Sequence, residues 1–204
     1  MGPDLLDRFA AAFTVLARLH IAPVSAEDHQ AIGAMIDEWP VDGAVDEGIA
    51  LMRASVAGGE DVAAIRWDHD TLYGISAAAK VAPYESVHRG EDGLVFDEHT
   101  LAVRAAFARL DVQAPRLHLE PDDHVGLELD FLAKCCLAML DALDAGDTSR
   151  AEHLQALAHA FTEEHLAAWA PQMLRDAQDA ATTKWMRGLM ALTLGTVAAW
   201  QAHG

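Results

Sequence analysis

The sequence predicts an all-α fold, two helical subdomains joined by a hinge, on three observations. Apolar residues recur at three- and four-residue steps along almost the whole chain, no segment alternates apolar and polar residues as a half-buried strand would, and cap residues and breakers punctuate the runs at helix-length intervals.

The first helix is set by Leu5, Leu6, Phe9, Phe13, Leu16 and Leu19, which share one face. Ser25, with Asp28 three residues on, forms a capping signal ahead of Ile32, Met35, Ile36 and Trp39, and Pro40 and Gly43 end that run. Val45, Ile49, Met52 and Val56 mark a third helix that stops at Gly58-Gly59, and Val62, Ile65 and Leu72 a fourth, from about Asp61 to Tyr73. From Gly74 to Phe96 the period lapses among Gly74, Pro83, Gly90 and Gly93, so this is the longest expected loop. Asp97 caps a helix carrying Leu101, Ala105, Phe107 and Leu110.

A second irregular stretch, with Pro115 and Pro121, reads as the hinge: residues 1–111 form one subdomain, 112–121 the hinge and 122–204 the other. The helix that follows, from Val125 to Leu143, is apolar on all sides and so is expected to be buried on more than one. Gly146 ends it, Asp147 or Thr148 caps the next, which carries Leu154, Leu157, Phe161 and Leu166, and Pro171 is expected to interrupt before a last helix with Trp185, Leu189, Leu192, Val197 and Trp200.

Charge removes several function classes. There are 32 Asp and Glu against 14 Lys and Arg, a formal charge of −18, too few cations for a phosphate-binding face or for an anionic membrane surface. With 52% apolar residues the chain is nonetheless globular, not disordered. The N-terminus opens acidic and amphipathic, unlike a secretory signal, and the uncharged stretch from Gly188 to Ala202 is too short and polar to span a bilayer, so a cytoplasmic protein is expected. The adjacent Cys135 and Cys136, set among leucines, are expected to be buried, inert thiols. Trp67, Trp169 and Trp185 are expected in the core, and His159 and His165 at the surface or in a groove.

Two segments carry candidate chemistry. Residues His118 to Glu128 hold two histidines and four carboxylates, with no cation between Arg116 and Lys134. His124 and Glu128 are one helical turn apart, and Asp122 and Asp123 fall where a first helical turn favours acids. The spacing matches no metal-ligand pattern, so the simpler reading is a capped helix start with solvated acids; the alternative is a metal-dependent hydrolase using His118, Glu120, Asp123, His124 and Glu128. In the long loop, Pro83-Tyr84-Glu85-Ser86-Val87 offers a ring, a carboxylate and a hydroxyl in succession without a nucleophile elbow around Ser86.

Taken in order, four motifs resemble the TorD/DmsD family of cytoplasmic chaperones for exported molybdoenzymes. They are Asp70-Thr71-Leu72-Tyr73-Gly74; Pro83-Tyr84-Glu85-Ser86-Val87; Glu120-Pro121-Asp122-Asp123-His124 with Glu128-Leu129-Asp130-Phe131-Leu132; and the run from Phe161 through His165-Leu166 and Trp169 to Pro171. In the first, Tyr73 stands where the family has Phe, and Ile75 follows Gly74 in place of Pro. The resemblance covers residue 61 to the C-terminus. It implies a TorD-like helical bundle, no catalysis, no cofactor or metal, and binding of a client's twin-arginine signal peptide near the hinge. Hinged helical subdomains can exchange halves between protomers, so a monomer or a domain-swapped dimer is expected. The resemblance assigns peptide binding to Leu72, Tyr73, Tyr84, Glu85, Ser86, Glu120, Asp123, His124, Glu128, Phe131, His165 and Trp169. A twin-arginine leader needs unpaired carboxylates beside an apolar groove, and Glu85, Asp123 and Glu128 are the expected partners. The related NarJ branch, which assembles nitrate reductases, implies the same fold with another client.

Overall fold

The computed structural model describes residues 1–74, 79–115 and 121–203. The helices are α1 (Pro3–Ile21), α2 (Ala26–Met35), α3 (Asp46–Ala57), α4 (Val62–Tyr73), α5 (Glu85–Arg89), α6 (Glu98–Ala108), α7 (Val125–Asp144), α8 (Thr148–Phe161), α9 (Ala167–Ala180) and α10 (Lys184–Ala202). Among the described residues the sole β feature is an isolated antiparallel bridge between Tyr84 and His124, so the all-α expectation holds. The expected caps Ser25, Asp97 and Asp147 are in place, each accepting through its side chain from a backbone N–H in the first turn that follows, and Asp61, at the expected start of α4, caps that helix in the same way. Gly146, with φ +74°, ends α7 in the left-handed conformation that glycine adopts without a Cβ clash.

Three local expectations are corrected. The stretch from Gly74 to Phe96 is not wholly irregular, because residues 85–89 form the single-turn helix α5. Pro171 does not break the chain. The irregularity lies upstream, where Thr162–Leu166 winds as a π-helical turn, and Pro171 sits inside α9. A π-turn resets the hydrogen-bond ladder one residue wide, and such turns often sit at functional positions. Trp67 is 74% exposed, not core.

The chain divides into two compact units, and not along the line expected at residues 111 and 122. One unit comprises Met1–Ile21, Tyr84–Ala170 and Gln201–Gly204; the other comprises Ala22–Pro83 and Pro171–Trp200. The reason is that α1 packs along α7, which ties the N-terminus to the middle of the chain. Residues 116–120, half of the expected hinge, lie outside the described residues.

In the first unit α7 is the central element. Gly126 lets it approach α1 closely: a Cβ there would lie 2.6 Å from Ile21 Cγ1 and 2.9 Å from the carbonyl oxygen of Ala17. Phe131 of α7 stacks on Phe107, and Phe161 packs tilted against both, with ring centroids 4.6–5.9 Å apart. Cys135 and Cys136 are buried within it; burial pushes the Cys135 thiol up to about 12 and the Cys136 thiol up as well, its neighbour adding to the effect. Both stay protonated and unreactive.

The second unit is built around α10. Asp68, buried on α4, accepts from the Thr182 and Thr183 N–H groups and the Thr183 hydroxyl at 2.8–2.9 Å. Glu60 accepts from the Lys184 and Trp185 N–H groups, so two carboxylates from the α4 end serve as remote N-terminal caps for α10. Small residues then let backbones meet. A Cβ on Gly48 of α3 would fall 2.5 Å from Leu192 N and 2.7 Å from Leu192 Cα, both backbone atoms that have nowhere to go.

That contact yields a prediction in which two effects oppose each other. Gly48→Ala gains about 1 kcal/mol of intrinsic helix propensity, but the clash with backbone costs about 3 kcal/mol. The net loss, ~2 kcal/mol, should lower the melting temperature by roughly 6 °C; an unchanged or higher melting temperature by calorimetry would show that α3 and α10 are not in such close contact.

Candidate functional site

Within the first unit, three of the four motifs interlock. The bridge of Tyr84 with His124 sets Pro-Tyr-Glu-Ser against the start of α7, and the two rings meet edge to face at 5.3 Å. Asp123 then caps α5 from a distance. Its carbonyl oxygen accepts from Glu85 N at 3.0 Å and its Oδ2 from Ser86 N at 2.7 Å, while its Oδ1 accepts from the Thr100 hydroxyl of α6 at 2.7 Å. One residue thus joins α5, α6 and the entry to α7. His124 is the cap of α7 itself, its Nδ1 accepting from Gly126 N at 3.0 Å.

Glu85 is the second node. Its Oε1 pairs with Arg89, one turn along α5, and its Oε2 lies 2.9 Å from His165 Nδ1; His99 Nδ1 is 3.7 Å from Oε1. Arg89 also donates to the carbonyl oxygen of Glu164 at 2.7 Å, within the π-turn. This turn brings the last motif into the network through both Glu164 and His165. Trp169, one helical turn after His165, donates its indole N–H to Glu128 at 3.2 and 3.3 Å and stacks on His88 at 5.3 Å. Next to these, Arg104 pairs with Asp122.

Nine of the twelve residues assigned to peptide binding are therefore gathered here: Tyr84, Glu85, Ser86, Asp123, His124, Glu128, Phe131, His165 and Trp169. Leu72 and Tyr73 belong to the core of the second unit, where Tyr73 donates its hydroxyl to Met190 Sδ at 3.4 Å and burial raises its pKa. Glu120 and His118 lie outside the described residues.

The expected character of the carboxylates is corrected. Glu85, Asp122, Asp123 and Glu128 are all fully buried, so Asp122 and Asp123 are not solvated acids of a first helical turn; they precede α7, which begins at Val125. Nor are Glu85, Asp123 and Glu128 unpaired. Their partners are cations and donors that are remote in sequence from the 118–128 cluster, which is why the cluster looks cation-free when read alone. His165 is buried against Glu85 instead of lying at a surface, and Phe131 is fixed in the phenylalanine stack. Arg89, His99, Thr100 and Arg104 complete the network with no motif to mark them; the one local signal is the i, i+4 spacing of Glu85 and Arg89.

Buried carboxylates in excess of cations have a cost. Burial, then the negative charges of Glu85 and Asp123, hold the Glu128 pKa well above the ordinary carboxyl range, against the smaller opposing effects of the Trp169 bond and Arg89. Glu128 is therefore the natural site for a proton in this network. Metal chemistry has little room here: Asp123 uses both carboxylate oxygens, Glu128 receives Trp169, and His124 Nδ1 is a cap acceptor. Among the described residues no group of three or more His, Cys, Asp or Glu is disposed to hold a metal ion.

The profile of the nitrate reductase delta subunit family matches residues 40–175, two-thirds of the chain and all of the network just described. The chain belongs to that family. It is 27% identical over 203 residues to the Tat proofreading chaperone DmsD of Salmonella typhi, covering 97% of this chain and 91% of that protein. It is 26% identical over 115 residues to the chaperone protein TorD of Vibrio atlanticus, covering 55% of this chain and 51% of that protein. The TorD/DmsD resemblance read from the motifs is thereby met. Among the described residues no helix is long and apolar enough to cross a membrane.

The elevated Glu128 pKa has a definite sign. A carboxyl that holds its proton more tightly when folded stabilises fully below its unfolded pKa, and that contribution is lost as pH rises through the folded value. Glu128→Gln keeps an acceptor for Trp169 and has no charge to bury. It should match wild type at acid pH and exceed it increasingly as pH rises above the range in which an unfolded carboxyl titrates, by on the order of 1 kcal/mol or ~3 °C. Parallel melting curves for the two proteins from pH 4 to 8 would contradict this account.

Proposed function

We propose that this chain is a chaperone for maturation of a molybdenum-cofactor oxidoreductase, and that it binds the client's twin-arginine signal peptide before export. The observation that carries this reading is the similarity, along 97% of the chain, to a protein named as a Tat proofreading chaperone. The work of such a protein is recognition, not bond-making. In this reading the buried network is the framework of the peptide site: it fixes Tyr84, Glu85 and Ser86 against Asp123 and His124 and presents the partly exposed edge formed by His88 and Arg89. Fixed geometry lowers the ordering cost of binding a flexible peptide.

Charge favours the same partner. A formal charge of −18 attracts a leader with two adjacent arginines and disfavours nucleic acid and anionic lipid. Such attraction raises the association rate and weakens with salt over a Debye length of ~8 Å. The hydrolase alternative is the weaker reading because Asp123, His124 and Glu128 use their donor and acceptor atoms to hold helices together. The family profile, described as nitrate reductase delta subunit, supports an assembly chaperone of the NarJ type as the second reading.

The two chaperone readings separate in a calorimetric titration with a synthetic leader peptide that carries two adjacent arginines ahead of an apolar run. Replacing Arg-Arg by Ala-Ala in the peptide should weaken binding at least about tenfold, given the strength of guanidinium–carboxylate pairs, and raising salt should narrow the difference. Equal affinity for both peptides would remove the twin-arginine claim and favour nitrate reductase assembly.

A further inference from the structure

The carboxylates that sequence nominated for the arginine pair are buried, so the cationic end of a leader must find others. Residues 91–101 supply them beside an apolar surface. The loop that follows α5 reads Glu91-Asp92-Gly93-Leu94-Val95-Phe96-Asp97-Glu98 and contains no cation. Leu94, Val95 and Phe96 are 65%, 42% and 49% exposed, and Leu101, one turn into α6, is 59% exposed. Three consecutive exposed apolar residues are unusual unless they serve an interaction. Glu91, Asp92 and Glu98 are exposed around them.

The loop is closed at its base. A Cβ on Gly90 would lie 2.3 Å from Asp97 Oδ2 and 2.6 Å from the carbonyl oxygen of Ser86, so the two ends of the segment are pressed together. The base is also fastened to the buried network: Gly90 N donates to Ser86 O at 2.9 Å, and Asp97 caps α6, the helix whose Thr100 holds Asp123. The apolar tip is thus carried on the same framework that the motifs build. Phe96 has φ +66°, a left-handed conformation that a bulky side chain adopts at a cost, and asparagine or glycine would be the relaxed choice. A strained backbone that keeps a phenyl ring in solvent is the kind of local conflict that function retains.

We propose that this loop and the first turn of α6 are the docking surface for the signal peptide, with Glu91, Asp92 and Glu98 receiving the arginine pair and Leu94, Val95, Phe96 and Leu101 receiving the apolar run. The inference rests on the signal-peptide reading above. A basic peptide with an apolar segment matches an apolar patch rimmed by carboxylates. A second copy of this chain does not, because it would set the same carboxylates against each other at a charge of −18.

The test uses the full chain and a synthetic leader peptide with two adjacent arginines ahead of an apolar run. Two variants are compared with wild type by titration calorimetry: Phe96→Asn, and the triple change Glu91→Gln, Asp92→Asn, Glu98→Gln. Phe96→Asn should weaken binding about tenfold or more while leaving the melting temperature unchanged or raised, since asparagine suits that backbone; a merely structural Phe96 would move the two readouts together. The triple variant should bind more weakly and lose most of its salt dependence. If wild type binds and both variants bind equally well, the surface is wrong while the chaperone reading stands. If wild type does not bind at all, the signal-peptide reading itself fails, and this surface with it. Concentration-dependent dimers in sedimentation that Phe96→Asn abolishes, with peptide affinity unchanged, would assign the patch to self-association and overturn the proposal.

Discussion

Asp123 is the residue on which the first unit depends. Its three acceptor atoms are divided among Glu85 N, Ser86 N and the Thr100 hydroxyl, so a single buried aspartate orders α5, α6 and the entry to α7. No other residue type serves as well. Asparagine would offer one acceptor oxygen in place of two and would force the Thr100 hydroxyl from donor to acceptor without a charge to strengthen either bond, and glutamate would be too long for a carbonyl and a carboxylate to cap the same short helix. A five-residue helix has little stability alone. Here its first two N–H groups are satisfied by a remote residue and its last turn by Arg89, which reaches both Glu85 and the carbonyl oxygen of Glu164.

This arrangement explains why the motifs occur together. Pro-Tyr-Glu-Ser, the Asp-His pair and the segment with His165 and Trp169 are spread over more than eighty residues, yet each supplies a partner that another leaves buried. Glu85 without His165 and Arg89, or Glu128 without Trp169, would be a buried acid lacking hydrogen bonds, which is strongly unfavourable. The polar core is thus specified as a set, and loss of one member leaves the others exposed to the desolvation cost.

Much of the fold was legible because its signals are local. Caps at Ser25, Asp61, Asp97 and Asp147 and stops at Gly58 and Gly146 fixed helix boundaries within a residue or two. What was not legible depends on residues far apart in the chain. The acids at 118–128 looked exposed because Arg89, Arg104 and Thr100 come from earlier segments. The π-turn was hidden behind Pro171, a stronger local breaker that α9 accommodates. Trp67 was placed inside by residue type, but its position on α4 turns it outward. The subdomain boundary followed the prolines, whereas compactness followed the pairing of α1 with α7. Of the site, membership was largely readable from the motifs; burial and partners were not.

The pairing of α1 with α7 also shapes how the protein comes into being. The first unit draws on residues 1–21, 84–170 and the last few of the chain, with residues 22–83 between its first two parts. During synthesis, an amphipathic helix with Phe9, Phe13 and Leu16 on its inner face leaves the ribosome more than a hundred residues before the helix that covers it. Closing so long an interval is entropically slow compared with forming the helix itself. The nascent chain therefore exposes its own sticky segment while it waits, and a protein of this kind begins life with the same need for protection from premature association as any other translation product.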